Sequence, residues 1–293
     1  MTVGQGQLSR QEEGVERVTA ETDGADLTDP ASSALAHFGN EARLERELLG
    51  MSRADFGKEA TCGYSLVAKV EQGQRVPPRE FAEACDRVFP HANGRFMRLW
   101  PLALRHAYPA WFRPYVELEG VATHVRLFNP LLIPGLAQTE EYARAVLRAG
   151  RPDNLDEAVT LRMARQHILT GDDPPRLWLV ISEYALRRPA MDAAIMHGQL
   201  QRLWELAEIP RHVVQILPET AVPFHAGSNA FGLLSFRDGA DVAHVDGFPT
   251  GYIVADSAPV AEAQRAYDLL RATALSPDES AATIDSIMKD IYT

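Results

Sequence analysis

The residues whose types and spacing could do chemistry fall into two groups. The first is a short polar series, Tyr64, Ser65 and Lys69, with Arg53 ahead of it and Arg75 behind. Hydroxyl, ammonium and guanidinium donors are the groups that hold phosphates and read base edges. The second group is nine histidines and a set of aromatic residues further along the chain. His124 and His167 lie on helical patterns, and His212 and His244 on strand patterns. None belongs to a His-x-x-x-His or glutamate-rich pairing, so no metal site is expected. His225 stands near Ser228 in PFHAGSN, but the glycine-serine-glycine elbow of a hydrolase is absent, which leaves a surface-loop histidine. Trp111, Phe112, Tyr115, Trp178, Tyr184 and Trp204 could line a ligand pocket, although aromatics so spaced more often build core. Arg187 and Arg188 could bind an anion or lie solvated. No catalytic constellation emerges, so neither enzymatic activity nor a cofactor is expected.

The polar series needs a rigid element to present it. Residues 52–73 read SRADFGKEATCGYSLVAKVEQG, the rhythm of two short helices, a tight turn and a closing glycine. Ser52 caps the first of these, with Asp55 three residues on, and Phe56 and Ala60 face inward. Thr61, Cys62 and Gly63 make the turn; Val67 and Val70 face inward on the next helix, which stops at Gly73. A helix over 38–49 ending at Gly50 precedes the pair. Helices over 79–89, with Phe81, Cys85 and Val88 on one face, and over 93–106 follow it. Residues 37–106 therefore read as an all-α, five-helix domain. Residues 1–36 are polar, acidic and poor in large apolar side chains, and read as a disordered tail.

Residues 107–293 mix elements, which makes the whole chain α+β. Strands are expected over 178–182, 212–217, 230–236, 241–246 and 252–254, a small and mostly antiparallel sheet. Helices are expected over 139–149, capped by Thr139, and over 156–169, 191–207 and 258–275. A last helix opens on the capping sequence Ser276-Pro277-Asp278-Glu279. Residues 116–128 read as helix or as helix plus strand. The apolar loop FNPLLIPGL (128–136) reads as packed across the core, with a patch for a partner as the alternative.

Composition bounds the function. At 46% hydrophobic and 24% charged, with no long apolar run, the chain has the balance of a soluble protein without a membrane span. Two cysteines and no basic-apolar leader point to a cytoplasmic protein with reduced thiols. The net charge of −11 argues against general attraction to nucleic acid. Its distribution is uneven: residues 38–100 hold ten basic and nine acidic side chains, while the acidic excess lies in the tail and the C-terminal part.

The spacing of Ser52, Phe56, Ala60, Val67, Val70, Glu71 and Gly73 resembles the XRE (Cro/cI-type) helix-turn-helix family. The resemblance implies DNA contacts from Arg53, Tyr64, Ser65 and Lys69, a phosphate contact from Arg75, and a structural role for Glu71. The sequence departs from the family where glycine is usual (Thr61), where a serine or threonine cap is usual (Gly63), and where a small helix-former is usual (Gly57). It also has Glu45 at a common leucine position and Leu44 at a common arginine position. Residues 111–150, 172–189, 212–218 and 274–280 are similar to the C-terminal domain of a large set of actinomycete XRE regulators. That domain is uncharacterised, is often described as antitoxin-like, and is typically encoded beside small partner proteins.

The resulting expectation is a regulator that binds double-stranded operator DNA as a homodimer through residues 37–106. Residues 107–293 would sense a small protein from a neighbouring gene or a metabolite. Two rivals stand beside it: an antitoxin-like interaction module with weak or lost DNA binding, and a repurposed biosynthetic protein that binds or converts a small molecule.

Overall fold

The computed structural model describes residues 30, 33–171, 173–188, 192–221, 229–248 and 250–292. The expected tail over 1–29 and 31–32, and the loop carrying His225 and Ser228, lie outside the described residues.

Helix α1 (Ala34–Leu48) starts before the position expected, because Ser33 accepts the Ala36 amide at 3.0 Å and Ala36 is already buried. The last residues assigned to the tail, 34–36, are thus helix. Helices α2 (Arg53–Glu59), α3 (Tyr64–Glu71), α4 (Arg79–Val88) and α5 (Arg95–Ala107) follow. Ser52 caps α2 as its sequence implies, and Gly50 and Gly73 adopt φ of 64° and 66°, the left-handed stops that glycine permits. The inward residues meet in a cluster of rings, with Phe56 stacked on Phe89 at 5.1 Å and Phe38 edge-on to Phe96 at 5.4 Å.

Of the departures from the usual pattern, those at Gly57 and Glu45 have local reasons, and that at Thr61 is a cost. Gly57 costs helix propensity, but a Cβ there would stand 2.7 Å from the Cys62 carbonyl oxygen, so the tight turn excludes alanine. Glu45 occupies a buried position because Arg95 of α5 reaches it at 2.5 Å, while Leu44 is left 44% exposed. Thr61 carries the strain: its φ of 52° puts a β-branched side chain in the left-handed region. Thr61→Gly is accordingly expected to stabilise the protein by about 1 kcal/mol in urea denaturation, and an unchanged or lowered midpoint would refute the strain.

The remainder comprises α6 (Arg113–Val121), β1 (His124–Asn129), α7 (Glu140–Ala149), α8 (Leu155–Arg165), β2 (Arg176–Ser182), α9 (Glu183–Leu186), α10 (Ala193–Ala207), β3 (Val213–Leu217), β4 (Phe231–Ser235), β5 (Val242–Val245), β6 (Tyr252–Val254), α11 (Ser257–Thr273) and α12 (Pro277–Ile291). Residues 116–128 resolve as helix plus strand, so His124 stands on a strand and not on a helix. The sheet is six-stranded and mixed, in the order β3-β2-β1-β4-β5-β6. Strands β1, β2 and β3 are parallel because a helical crossover returns the chain between each pair; β4, β5 and β6 run antiparallel through short connections. The expectation of a small, mostly antiparallel sheet left β1 open and missed the two parallel pairings, β1 with β2 and β2 with β3.

Alternation along the strands feeds two cores. Val125, Leu127, Leu177, Leu179, Val214 and Ile216 face a layer that includes α10 and α12. Phe128, Val180, Phe231 and Leu233 face Val260, Tyr267 and Leu270 of α11. The loop over 128–136 packs inward through Phe128, Ile133 and Leu136 and leaves Leu131 54% exposed. Helix α8 belongs to both parts of the molecule. Leu161 and Ala164 enter the α1–α5 core, Leu161 accepts the Tyr108 hydroxyl at 2.8 Å, and Asp156 meets Arg75.

Candidate functional site

On α3, Val67 and Val70 are fully buried, and Tyr64, Ser65 and Lys69 are exposed, Tyr64 by 57%. The helix is held from beneath by α1 and α2. The backbones of α1 and α3 touch, since a Cβ on Gly39 would lie 2.1 Å from the Val70 carbonyl oxygen. One carboxylate ties the three helices together. Glu71, almost fully buried, accepts Arg46 of α1 at 2.5 and 3.1 Å and Arg53 of α2 at 2.7 Å. These hydrogen bonds hold the Arg46 and Arg53 pKa values above the ordinary arginine value.

The predicted contact residues are therefore not equivalent. Tyr64, Ser65 and Lys69 share one exposed face, with the Tyr64 side chain within reach of Arg53. Arg53 spends its Nε on Glu71, so only the outer part of its guanidinium can reach a ligand. Arg75 is 18% exposed at its side chain and faces Asp156 at 3.4 Å.

A second feature lies between α6, α8 and the sheet: a cavity of about 500 Å³. Trp111, Phe112 and Tyr115 line it, whereas Trp178, Tyr184 and Trp204 do not. Trp178 instead lies under Arg271 at 4.7 Å and donates to Gln215. The loop over 128–136 contributes Leu132, Ile133, Pro134 and Gly135 to the wall. Two arginines of α8 face this space. Arg165 is clamped by Glu119 at 2.7 and 2.8 Å and lies over the Phe112 and Tyr115 rings at 5.1 and 5.6 Å. Among the described residues Arg162 receives one hydrogen-bond acceptor, the Gln138 side-chain oxygen at 3.1 Å. Burial, and then the neighbouring Arg165, lower the Arg162 pKa to about 10, so it remains charged at neutral pH. His244, whose pKa burial lowers, sits 4.2 Å from the Tyr115 ring on the opposite wall. Sequence reasoning passed over Arg162 and Arg165, which resemble any two helix-surface arginines; a pair three residues apart on a helix facing an aromatic cluster is the signal that was available.

Elsewhere, His212 accepts the Leu177 amide on Nδ1 at 3.3 Å, and His167 lies between Trp100 and Arg79; burial lowers both pKa values. Arg187 pairs with Glu183, and Arg188 donates to the Leu131 carbonyl. Among the described residues no group of three or more His, Cys, Asp or Glu is placed to hold a metal ion, and no helix is long and apolar enough to cross a membrane.

A compact helical pair with a buried inner face and a free polar outer face defines a helix-turn-helix protein, and a helix-turn-helix domain model matches residues 37–89. The chain belongs to the family of a domain of unknown function (DUF5753), whose model matches residues 112–286, more than half of the chain. No curated protein and no solved structure matches it.

Proposed function

We propose that the chain is a cytoplasmic transcriptional regulator of the XRE type that binds operator DNA through α3 and senses a metabolite or a small protein through its C-terminal domain. The carrying observation is the sidedness of α3, with Val67 and Val70 buried and Tyr64, Ser65 and Lys69 exposed. A helix so presented fits the major groove, Lys69 and Ser65 reaching base edges or phosphates and Tyr64 packing on a sugar or thymine methyl. Arg53 supplies a phosphate contact with the outer part of its guanidinium, beyond Glu71 and beside Tyr64. Arg75 supplies another in exchange for Asp156. A single helix of this length reads few base pairs, so the acting form is a homodimer on two half-sites. The near-neutral helical part makes the sequence-independent electrostatic term small and leaves affinity to a few directed contacts.

The sensory half of the reading draws support from the cavity and from α8, which touches both the cavity and the helical core. An antitoxin-like association with a neighbouring gene's product remains the form the reading takes if the effector is a protein.

Binding to the protein's own promoter at fixed salt tests the DNA half. Lys69→Ala and Tyr64→Ala are each expected to weaken binding by about 1–3 kcal/mol, roughly five- to 150-fold in Kd, with the fold unchanged by circular dichroism. Unchanged affinity in both variants would remove α3 as the reading element.

A further inference from the structure

We infer that the cavity between α6, α8 and β4 is a binding site for a small aromatic monocarboxylate, whose carboxylate pairs with Arg162 and whose ring lies against Phe112 and Tyr115. The inference deepens the sensory role proposed above for the C-terminal domain and rests on it.

Size and lining come first. About 500 Å³ falls within the range of small-molecule sites, and the walls are mainly apolar. Trp111 lines the cavity while staying 46% exposed, which marks its open side. Gly232 keeps the back wall thin, since a Cβ there would stand 2.7 Å from Leu127 and 3.6 Å from the Tyr115 hydroxyl.

The charge comes second, and it is where the two arginines part. Arg165 and Arg162 lie three residues apart on one helix and face one space. Arg165 has a buried carboxylate on two of its nitrogens. Arg162 has five N–H donors and, among the described residues, one neutral acceptor and no ion pair. Asp246 is close enough to raise the Arg162 pKa but makes no contact with it, and its side chain is 63% exposed. A half-buried guanidinium that no counter-charge contacts is costly, and a planar carboxylate matches its fork.

Arg162 is also held in place. Gln138 accepts from it while donating to the Ile133 carbonyl at 2.8 Å. Gln166 fastens the same loop by donating to the Gly135 and Gln138 carbonyls. Gly135 leaves room for the guanidinium, because a Cβ there would lie 3.1–3.5 Å from the Arg162 side chain. One guanidinium balances a monoanion; a phosphate dianion would keep an unpaired charge beside Asp246.

Calorimetric titration of the full chain tests this with 2-naphthoate, neutral 2-naphthalenemethanol and 2-naphthyl phosphate, all without DNA. The wild type should bind naphthoate at least about tenfold more tightly than the alcohol, and more tightly than the phosphate. Arg162→Met should abolish the preference for naphthoate over the alcohol, with an unliganded Tm equal to or above the wild type's. Gly135→Ala, which keeps the charge but displaces the guanidinium, should lower naphthoate affinity selectively and covers the case in which Arg162→Met fails to fold. No saturable naphthoate binding, equal affinity for naphthoate and alcohol, tighter binding of the phosphate, or a preference that survives in the variants would overturn the assignment. Promoter binding by the Lys69 and Tyr64 variants fails or succeeds independently of these titrations, so the two readings can fall separately.

Discussion

Glu71→Ala is expected to destabilise the protein by about 3–5 kcal/mol and to abolish promoter binding with it. The Glu71 carboxylate of α3 joins α1 and α2 to it, through Arg46 and Arg53. Arg46 is 92% buried at its side chain; without Glu71 it keeps the Met51 carbonyl and a long contact to the exposed Glu47. An exposed pair such as Arg271 with Asp268 would lose at most about 1 kcal/mol on truncation, because water replaces the partner. At Glu71 water cannot do so without opening the crossing of α1 and α3, where Gly39 already meets the Val70 carbonyl. Urea denaturation followed by tryptophan fluorescence measures the effect, since Trp100 is buried in this core. A loss under about 1 kcal/mol would show that the network contributes no more than a surface pair. Glu71→Gln, which keeps an acceptor for one arginine, should fall between wild type and alanine.

The second large effect is expected at Glu119, on the other side of the molecule. Glu119→Ala strands Arg165 between Phe112, Tyr115 and Arg162, with a predicted loss of about 3–5 kcal/mol. Removing both charges together differs from removing one. The double variant Glu119→Leu with Arg165→Met replaces a buried pair by apolar side chains of similar volume, and is expected to lie much nearer the wild type than either single variant. Thermal or urea unfolding of the four proteins in this cycle gives the coupling directly. Strictly additive losses would show that Arg165 and Glu119 do not depend on one another. The same cycle bears on the cavity: in Glu119→Ala the neighbouring Arg162 is joined by a second uncompensated guanidinium, so naphthoate affinity should rise even as stability falls.

Much of the helical part was legible in the residue order. Helix stops at Gly50 and Gly73, the Ser52 cap and the inward set Phe56, Val67 and Val70 all follow from interactions within a few residues of chain, and the structure has them in place. The strands over 176–182, 213–217, 231–235 and 242–245 were readable within two residues, the first as a buried apolar run and the others from the Pro, Gly and Asp turns that separate them. The capping box at Ser276 and Glu279 was readable for the same reason. β1 was readable only as one of two alternatives, because HVRLFN follows directly on a helical pattern and what decides for the strand is its pairing with β2 and β4.

What the residue order alone determined is the set of elements and which face of each is apolar, because propensity, capping and periodicity act over a turn or two. What only the tertiary structure decided is how groups far apart in the chain met. Glu45 could be buried once Arg95, fifty residues later, came to pair with it. Gly57 proved necessary only when the Cys62 carbonyl folded back on it. Arg162 and Arg165 are the same residue type on the same helix, and the difference between them is a carboxylate forty-six residues away that reaches one and not the other. Coulomb and hydrogen-bond energies depend on distances of a few ångströms, and those distances are fixed by packing among α6, α8 and the sheet, which no local pattern records.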